Sequence, residues 1–191
     1  MSGRIGWARI TTTTGPAIEP LTLSEAKAHL RMDDEPDDLD ALIVDLIKAA
    51  REQVEIETGQ ALISRTQTVT YPELGALELP TPPLSSVSSI TYLDSSGISQ
   101  TLATSVYVAV GTSPAHIELR YGQSWPATYD HPEAVTVTQV VGYGSARLSV
   151  PQRYRQAVLF HLQAHLEQDP KEMDNLMRAH KALCGVGFHR F

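Results

Sequence analysis

Four side chains of types that bind metal ions occur at helical spacing in the last third of the sequence. His161 and His165 lie four residues apart, and so do His180 and Cys184. Residues four apart share one face of a helix, so two adjacent helices of this kind could present the nitrogen and sulfur ligands that Zn²⁺ prefers. However, His161 and His165 fall on an apolar stripe, where a hydrogen-bonded core histidine is the commoner finding. We therefore expect neither a metal site nor another cofactor.

The motifs of common catalytic sites are absent from the sequence. There is no Gly-x-Ser-x-Gly turn, no glycine-rich phosphate loop with a lysine, and no Gly-x-Gly-x-x-Gly fingerprint. The segment 161–165 lacks the glutamate that zinc proteases use as a base. The acid-rich segment 33–40 lacks the glycine and the terminal glutamate of a calcium loop. We predict no catalytic residues and no enzymatic activity.

Composition is that of a globular protein without a membrane partner. The chain has 191 residues, of which 42% are hydrophobic and 19% charged, and this balance is typical of a folded domain. Its single cysteine excludes an internal disulfide framework. No apolar run approaches the 18 or more residues that a membrane span requires, and the first 18 residues lack the apolar core of a secretory signal.

Acidic residues are concentrated in one segment. Residues 19–57 hold twelve acidic and four basic side chains, a net charge of −8, whereas the rest of the chain carries +1. A total of −7 argues against sequence-independent binding to DNA phosphates. The segment is either a solvated acidic face or a surface that faces a charged partner.

Helical patterns begin near residue 22. Thr22 and Glu25 have the spacing of a capping box, which predicts a short helix to about Arg31. Apolar residues then recur at a helical period, and Gly59 is the expected C-cap. The predicted buried stripe of this second helix consists of Leu39, Leu42, Ile43, Leu46, Ile47, Ala50 and Val54.

Two more helices are predicted near the C-terminus. Residues 151–167 are apolar on two sides, so we expect this helix to be covered on both. One cover would be the helix that begins near Leu39, and the other a neighbouring subunit, with Leu159, Phe160 and Leu166 in that contact. The helix from Asp169 to about Cys184 starts with an N-cap and a proline.

Residues between the helical segments follow the two-residue period of strands. About six strands are predicted between residues 66 and 141, and Asp94-Ser95-Ser96-Gly97 is a hairpin signal. The loop 122–133 carries Trp125, Tyr129 and His131. Such a loop either binds a ligand or is held in place by a buried Trp125.

These patterns predict an α+β fold, in which N- and C-terminal helices form an α-helical bundle and an antiparallel β domain is inserted between them. We expect an extended N-terminal arm over residues 1–18 and a C-terminal tail over 185–191. Residues 19–59 would join 150–184 in the bundle, and 60–149 would form the β insert.

Several segments, in order, resemble one protein family. They are 19–31, 37–42, 49–51, 57–59, 82–84, 121–126, 142–144 and 150–167. In this order they are similar to the head–tail connector (adaptor) proteins of long-tailed bacteriophages and gene transfer agents, in the subgroup with a β insert. The resemblance covers about residues 19–168.

The resemblance implies a structural role in the virion neck after assembly in the bacterial cytoplasm. Such adaptors form a ring, usually of twelve, beneath the portal, extend the DNA channel, and contact the next neck or tail protein (a stopper or tail terminator). DNA would pass without specific binding, because acidic side chains repel phosphates. The candidate channel-lining residues are Asp33, Asp34, Asp37, Asp38 and Asp40.

The resemblance also implies that the C-terminal segment docks on the portal. Phe188, Arg190 and Phe191 are the candidate anchors, since aromatic residues and arginine dominate interface hot spots; the alternative is an unattached chain end. A different functional alternative is a binding module, in which the β insert holds a carbohydrate or another virion protein through the Trp125 loop.

Overall fold

The fold is α+β and divides into two compact units. The computed structural model describes residues 8–32 and 37–185. Among the described residues, one unit, here the β unit, contains 8–15 and 64–142. The other, the helical unit, contains 16–32, 37–63 and 143–185.

All strands of the β unit pair antiparallel in two sheets. Within the described residues, the larger sheet has the order β1-β2-β8-β4-β5 and the smaller has the order β3-β7-β6. The strands are β1 (Arg9–Thr14), β2 (Arg65–Tyr71), β3 (Leu77–Leu79), β4 (Leu84–Leu93), β5 (Ser99–Thr101), β6 (Tyr107–Val110), β7 (Ala115–Leu119) and β8 (Val135–Val141).

Strand β8 is central to the larger sheet. It lies between β2 and β4, and its alternate side chains from Val135 to Val141 are buried, as the two-residue period predicts. The predicted β4–β5 hairpin is confirmed. Its turn is closed by the Asp94 carboxylate, which accepts hydrogen bonds from the backbone N–H groups of Ser96 and Ile98, and Gly97 supplies a positive φ of 77°.

Two of the observed strands, β1 and β3, were not among the six predicted. Part of the expected N-terminal arm forms β1, which pairs with β2 at the sheet edge, and Arg9 forms an ion pair with Glu133 at 3.1 Å. The short strand β3 was not predicted. Its pattern consists of two buried leucines on either side of Glu78. An alternation of three residues does not distinguish a strand from a loop, and only the pairing with β7 identifies it as a strand.

The helical unit contains four α-helices in its described residues. They are α1 (Leu23–Leu30), α2 (Asp40–Thr58), α3 (Gln152–Leu166) and α4 (Pro170–Cys184). The predicted capping box is confirmed, because the Thr22 hydroxyl accepts from the Glu25 N–H and the Glu25 carboxylate accepts from the Thr22 N–H. Gly59 ends α2 in the left-handed conformation, also as predicted. No helix in the described ranges combines the length and the hydrophobicity that crossing a membrane requires.

Helix α3 packs against all three other helices. Its buried residues Tyr154, Val158 and Leu162 lie in one apolar core with residues of α2 and with Cys184 of α4. The prediction that α3 is covered on two sides agrees with this packing. However, part of the cover comes from α4 of the same chain, so the two apolar sides do not by themselves require a neighbouring subunit.

The predicted stripe of α2 is wrong at its beginning. Leu42 is 48% exposed and Leu39 is 38% exposed, whereas Ile43, Ile47 and Val54 are buried. The described burial places Arg51 and Glu55, one helical turn apart, on the buried side. An apolar pattern cannot reveal these two positions, because both side chains are charged.

Arg51 is the centre of a buried charge network. Its Nε donates to Glu19 Oε2 at 2.7 Å, and one terminal nitrogen donates to Glu55 Oε2 at 2.8 Å. The other oxygen of Glu55 accepts from the backbone N–H of Leu62 at 2.8 Å. Burial lowers the pKa of Arg51, but the surrounding carboxylates outweigh it and raise the pKa. The network fastens the segments before α1 and after α2 to the middle of α2.

We expect Arg51→Met to destabilise the helical unit by about 3–5 kcal/mol, because Glu55 would remain buried without its cation. Lys48→Met is the matched control. It removes a lysine from the same helix whose ion pair with Asp45 is exposed, and it should cost less than about 1 kcal/mol. Urea unfolding followed by far-ultraviolet circular dichroism measures both. Equal effects of the two substitutions would contradict the importance of the network.

Candidate functional site

The structure describes only some of the predicted channel acids, and the described ones differ in their surroundings. Asp33 and Asp34 lie outside the described residues, as does the side chain of Asp37. Asp38 is exposed. Asp40 is bound within the helical unit, where its carboxylate forms an ion pair with Lys27 at 2.9 Å.

Most other acids of the segment 19–57 are paired inside the helical unit. Besides the three carboxylates on Arg51, Glu25 pairs with Arg155, Asp45 with Lys48, and Glu57 with His180. At Glu25, burial raises the pKa, but hydrogen bonds from Thr22 and the charge of Arg155 outweigh it and lower the pKa. The net charge of −8 therefore overstates the number of acids that are free to face a partner.

The predicted interface residues of α3 have three different surroundings. Leu159 packs against the helical core. Phe160 is half-buried, and its ring centroid lies 6.2 Å from that of His29. Leu166 lines a surface depression with Leu30 and Met32.

The largest exposed apolar side chains of the helical unit were missed by the sequence analysis. Ile56 on α2 is 74% exposed and Leu148 is 82% exposed. The sequence could have indicated the exposure of Ile56, because this residue lies outside the predicted buried stripe of the helix. Leu148 lies in a 3₁₀ turn, Arg147–Ser149, where no periodic pattern applies. The predicted portal anchors Phe188, Arg190 and Phe191 lie outside the described residues.

The structure brings three of the four predicted metal-type side chains together. The His161 ring lies 4.8 Å from the His180 ring, and Cys184 Sγ lies 3.8 Å from His180 Nε2. Glu57, which the sequence analysis did not consider, joins them with Oε2 3.0 Å from His180 Nε2. His165 is exposed, although its ring contacts that of His161 at 4.6 Å.

Burial controls the electrostatics of this cluster. Burial and the neighbouring His180 and His165 lower the pKa of His161 to about 4, so its imidazole is neutral at pH 7. Burial and Glu57 raise the pKa of the Cys184 thiol to about 12. Because nucleophilic cysteines need a depressed pKa, this arrangement does not suit covalent catalysis by Cys184.

The aromatic loop of the β unit is attached to the end of β4. Tyr129 donates its backbone N–H to Leu93 O at 3.0 Å, and Thr128 forms an isolated bridge with Asp94. Trp125 is half-buried, whereas Tyr129 and His131 are exposed. Trp125 is therefore not a fully buried anchor, and the loop presents aromatic surface to solvent.

Part of the chain matches a known protein family. Residues 20–95 match the family of phage gp6-like head-tail connector proteins. The matched segment runs from just before α1 to the β4–β5 turn, and it includes Arg51 and the capping box. The predicted resemblance to head–tail connectors is thereby confirmed. No curated protein matches the chain significantly.

Three solved structures share the fold over nearly the whole chain. A chain in the neck of an empty gene transfer agent (GTA) particle, computed with C6 symmetry, is 21% identical with a TM-score of 0.78, over 96% of this chain and 97% of that chain. A chain in the virion of a native GTA particle is 20% identical with a TM-score of 0.74, over 95% and 96%. A chain in the neck of a native GTA particle, computed with C12 symmetry, is 21% identical with a TM-score of 0.71, over 96% and 97%.

We expect Trp125→Ala to leave the β unit folded and to lower its stability by about 1–2 kcal/mol. Truncating a fully buried tryptophan costs about 3–5 kcal/mol, and Trp125 is only half-buried. Tyr129→Ala, at the exposed end of the same loop, should cost less. Thermal unfolding monitored by near-ultraviolet circular dichroism measures both. Global unfolding of Trp125→Ala would instead identify the loop as part of the core.

Proposed function

We propose that this protein is a structural head–tail connector (adaptor) that forms a ring beneath the portal and extends the DNA channel from capsid to tail. The observation that carries the proposal is a fold shared over 96% of this chain and 97% of a GTA neck chain. The family match over residues 20–95 supports the same role independently. The family description names a structural protein and no reaction, in agreement with the absence of catalytic motifs.

A ring requires two different surfaces on each subunit that meet by rotation. The exposed apolar side chains of the helical unit, Leu42, Ile56 and Leu148, supply surface of the kind that such contacts bury, together with the depression beside Leu166. We infer a ring of twelve, which the C12 symmetry of the neck containing a similar chain supports.

Passage of DNA requires a channel wall that does not hold phosphates. Acids that are paired within the chain contribute little to this repulsion, because their charges are offset at contact distance. We therefore propose that the lining comes from Asp38 and the neighbouring acids Asp33, Asp34 and Asp37, and that Asp40 serves mainly as the partner of Lys27. The genome then passes by like-charge repulsion without specific binding.

The partners of the ring follow from its place in the virion neck. We propose that residues 185–191 dock on the portal through Phe188, Arg190 and Phe191, and that the opposite end of the ring receives a stopper or tail terminator. Assembly takes place in the bacterial cytoplasm. The alternative function, ligand binding by the β unit, is supported by the half-buried Trp125 and the exposed Tyr129 and His131 of the loop 122–133.

We expect the purified chain to form rings when mixed with the portal of the same particle. Ile56→Asp combined with Leu148→Asp should reduce ring formation at least about tenfold, because charges would be buried at the subunit contact. Ile98→Asp, at an exposed apolar residue of the β unit, is the matched control and should form rings normally. Native mass spectrometry counts the subunits. A chain that stays monomeric with saturating portal would overturn the proposal.

Deletion of residues 187–191 should leave the fold intact and weaken portal binding by at least about tenfold, because the anchors carry most of the docking energy. His189→Ala, in the same tail but not at a proposed anchor, is the control and should bind normally. Circular dichroism checks the fold, and surface plasmon resonance on immobilised portal measures binding. Unchanged affinity after the deletion would remove the tail from the interface.

A further inference from the structure

Three ligand atoms converge where the end of α2 meets α4. One carboxylate oxygen of Glu57, one ring nitrogen of His180 and the sulfur of Cys184 all lie within 4.8 Å of one another. Zinc bonds of about 2.0–2.3 Å in a tetrahedron place the ligand atoms roughly 3.3–3.8 Å apart. The observed separations from His180 Nε2, 3.0 Å to the oxygen and 3.8 Å to the sulfur, are within a few tenths of an ångström of that range.

The backbone orients His180 for this role. Its Nδ1 lies 3.0 Å from the carbonyl oxygen of Ala157 on α3. A carbonyl only accepts, so Nδ1 carries the proton of this hydrogen bond, and in the neutral ring Nε2 presents its lone pair to Glu57 and Cys184. Metal-binding histidines characteristically donate their second N–H to a carbonyl or a carboxylate in this way.

One polar atom beside the cluster is buried without a partner among the described residues. The ring of His161 lies beside that of His180, and its Nδ1 is buried without a hydrogen-bond partner in the part of the chain that the structure describes. In the ion pair of His180 with Glu57, the Nε2 proton lies between the ring and the carboxylate. A Zn²⁺ ion bound at Nε2 would replace that proton and keep a positive charge between the ring, the carboxylate and the sulfur.

From this geometry we propose that Glu57, His180 and Cys184 bind one Zn²⁺ ion per chain, with water completing a four-coordinate shell. Sulfur, imidazole and carboxylate together favour zinc over magnesium or calcium, which prefer oxygen ligands alone. The Glu57 side chain is 21% exposed and provides the entry path. The sequence alone disfavoured zinc because His161 and His165 lie on an apolar stripe, and it gave no sign that Glu57 would lie beside His180.

Such an ion would act as a structural clamp. It would join α2 to the last turn of α4, immediately before the tail that begins at Gly185. An effect of the ion on the tail would bear on function only if the tail docks on the portal as proposed. Zinc binding itself can be measured on the isolated chain. Failure of one proposal is therefore distinguishable from failure of the other.

The test uses the full-length chain without an affinity tag, first stripped with a chelator. Addition of Co²⁺ should give one equivalent of bound metal with a thiolate-to-cobalt charge-transfer band, and Zn²⁺ should displace it. Elemental analysis after dialysis should find about one zinc per chain. Zinc should also raise the melting temperature, because it binds the folded state.

Variants assign the ligands. Cys184→Ala should abolish the charge-transfer band, and Cys184→Ala and Glu57→Gln should each weaken zinc binding by about tenfold or more. His165→Ala removes an exposed imidazole from α3 and should leave both unchanged, while circular dichroism confirms the fold of each variant. Wild-type protein that takes up no Co²⁺ or Zn²⁺ would overturn the proposal without reference to any variant. A band that survives Cys184→Ala would overturn it as well.

Discussion

The helical unit depends on a buried arginine whose charge is matched by carboxylates from three points of the chain. Arg51 binds Glu19 before α1, Glu52 beside it and Glu55 one turn further along α2. Because Glu55 also accepts the N–H of Leu62, the network sets where the chain enters and leaves the helix pair. A buried ion pair adds little net stability over apolar packing, but removing one member is costly. We therefore expect the network to fix the arrangement of these segments more than to add net stability.

The same pairing changes how the acidity of the chain relates to function. A count of residues places twelve acids in the segment 19–57, yet those on Arg51, Arg155, Lys27, Lys48 and His180 are offset within the fold. A channel wall would have to be built from the acids that remain. Among the described acids of this segment, Asp38 is exposed.

The amino-acid sequence alone determined the four helices, six of the strands and their order. Capping at Thr22, the C-cap at Gly59, the hairpin turn at Asp94 and the alternation of β8 are local signals, each set by a few neighbouring residues. Local signals suffice for the α+β class and for the resemblance to head–tail connectors, because both follow from the order of segments along the chain.

Only the tertiary structure decided which residues meet across long separations. The buried side of α2 includes charged Arg51 and Glu55, β3 pairs with β7, and part of the cover of α3 comes from α4. Glu57 joined His180 across 123 residues, a contact that no periodicity encodes. Periodicity reports the face of one element, whereas a site is made where faces of several elements converge.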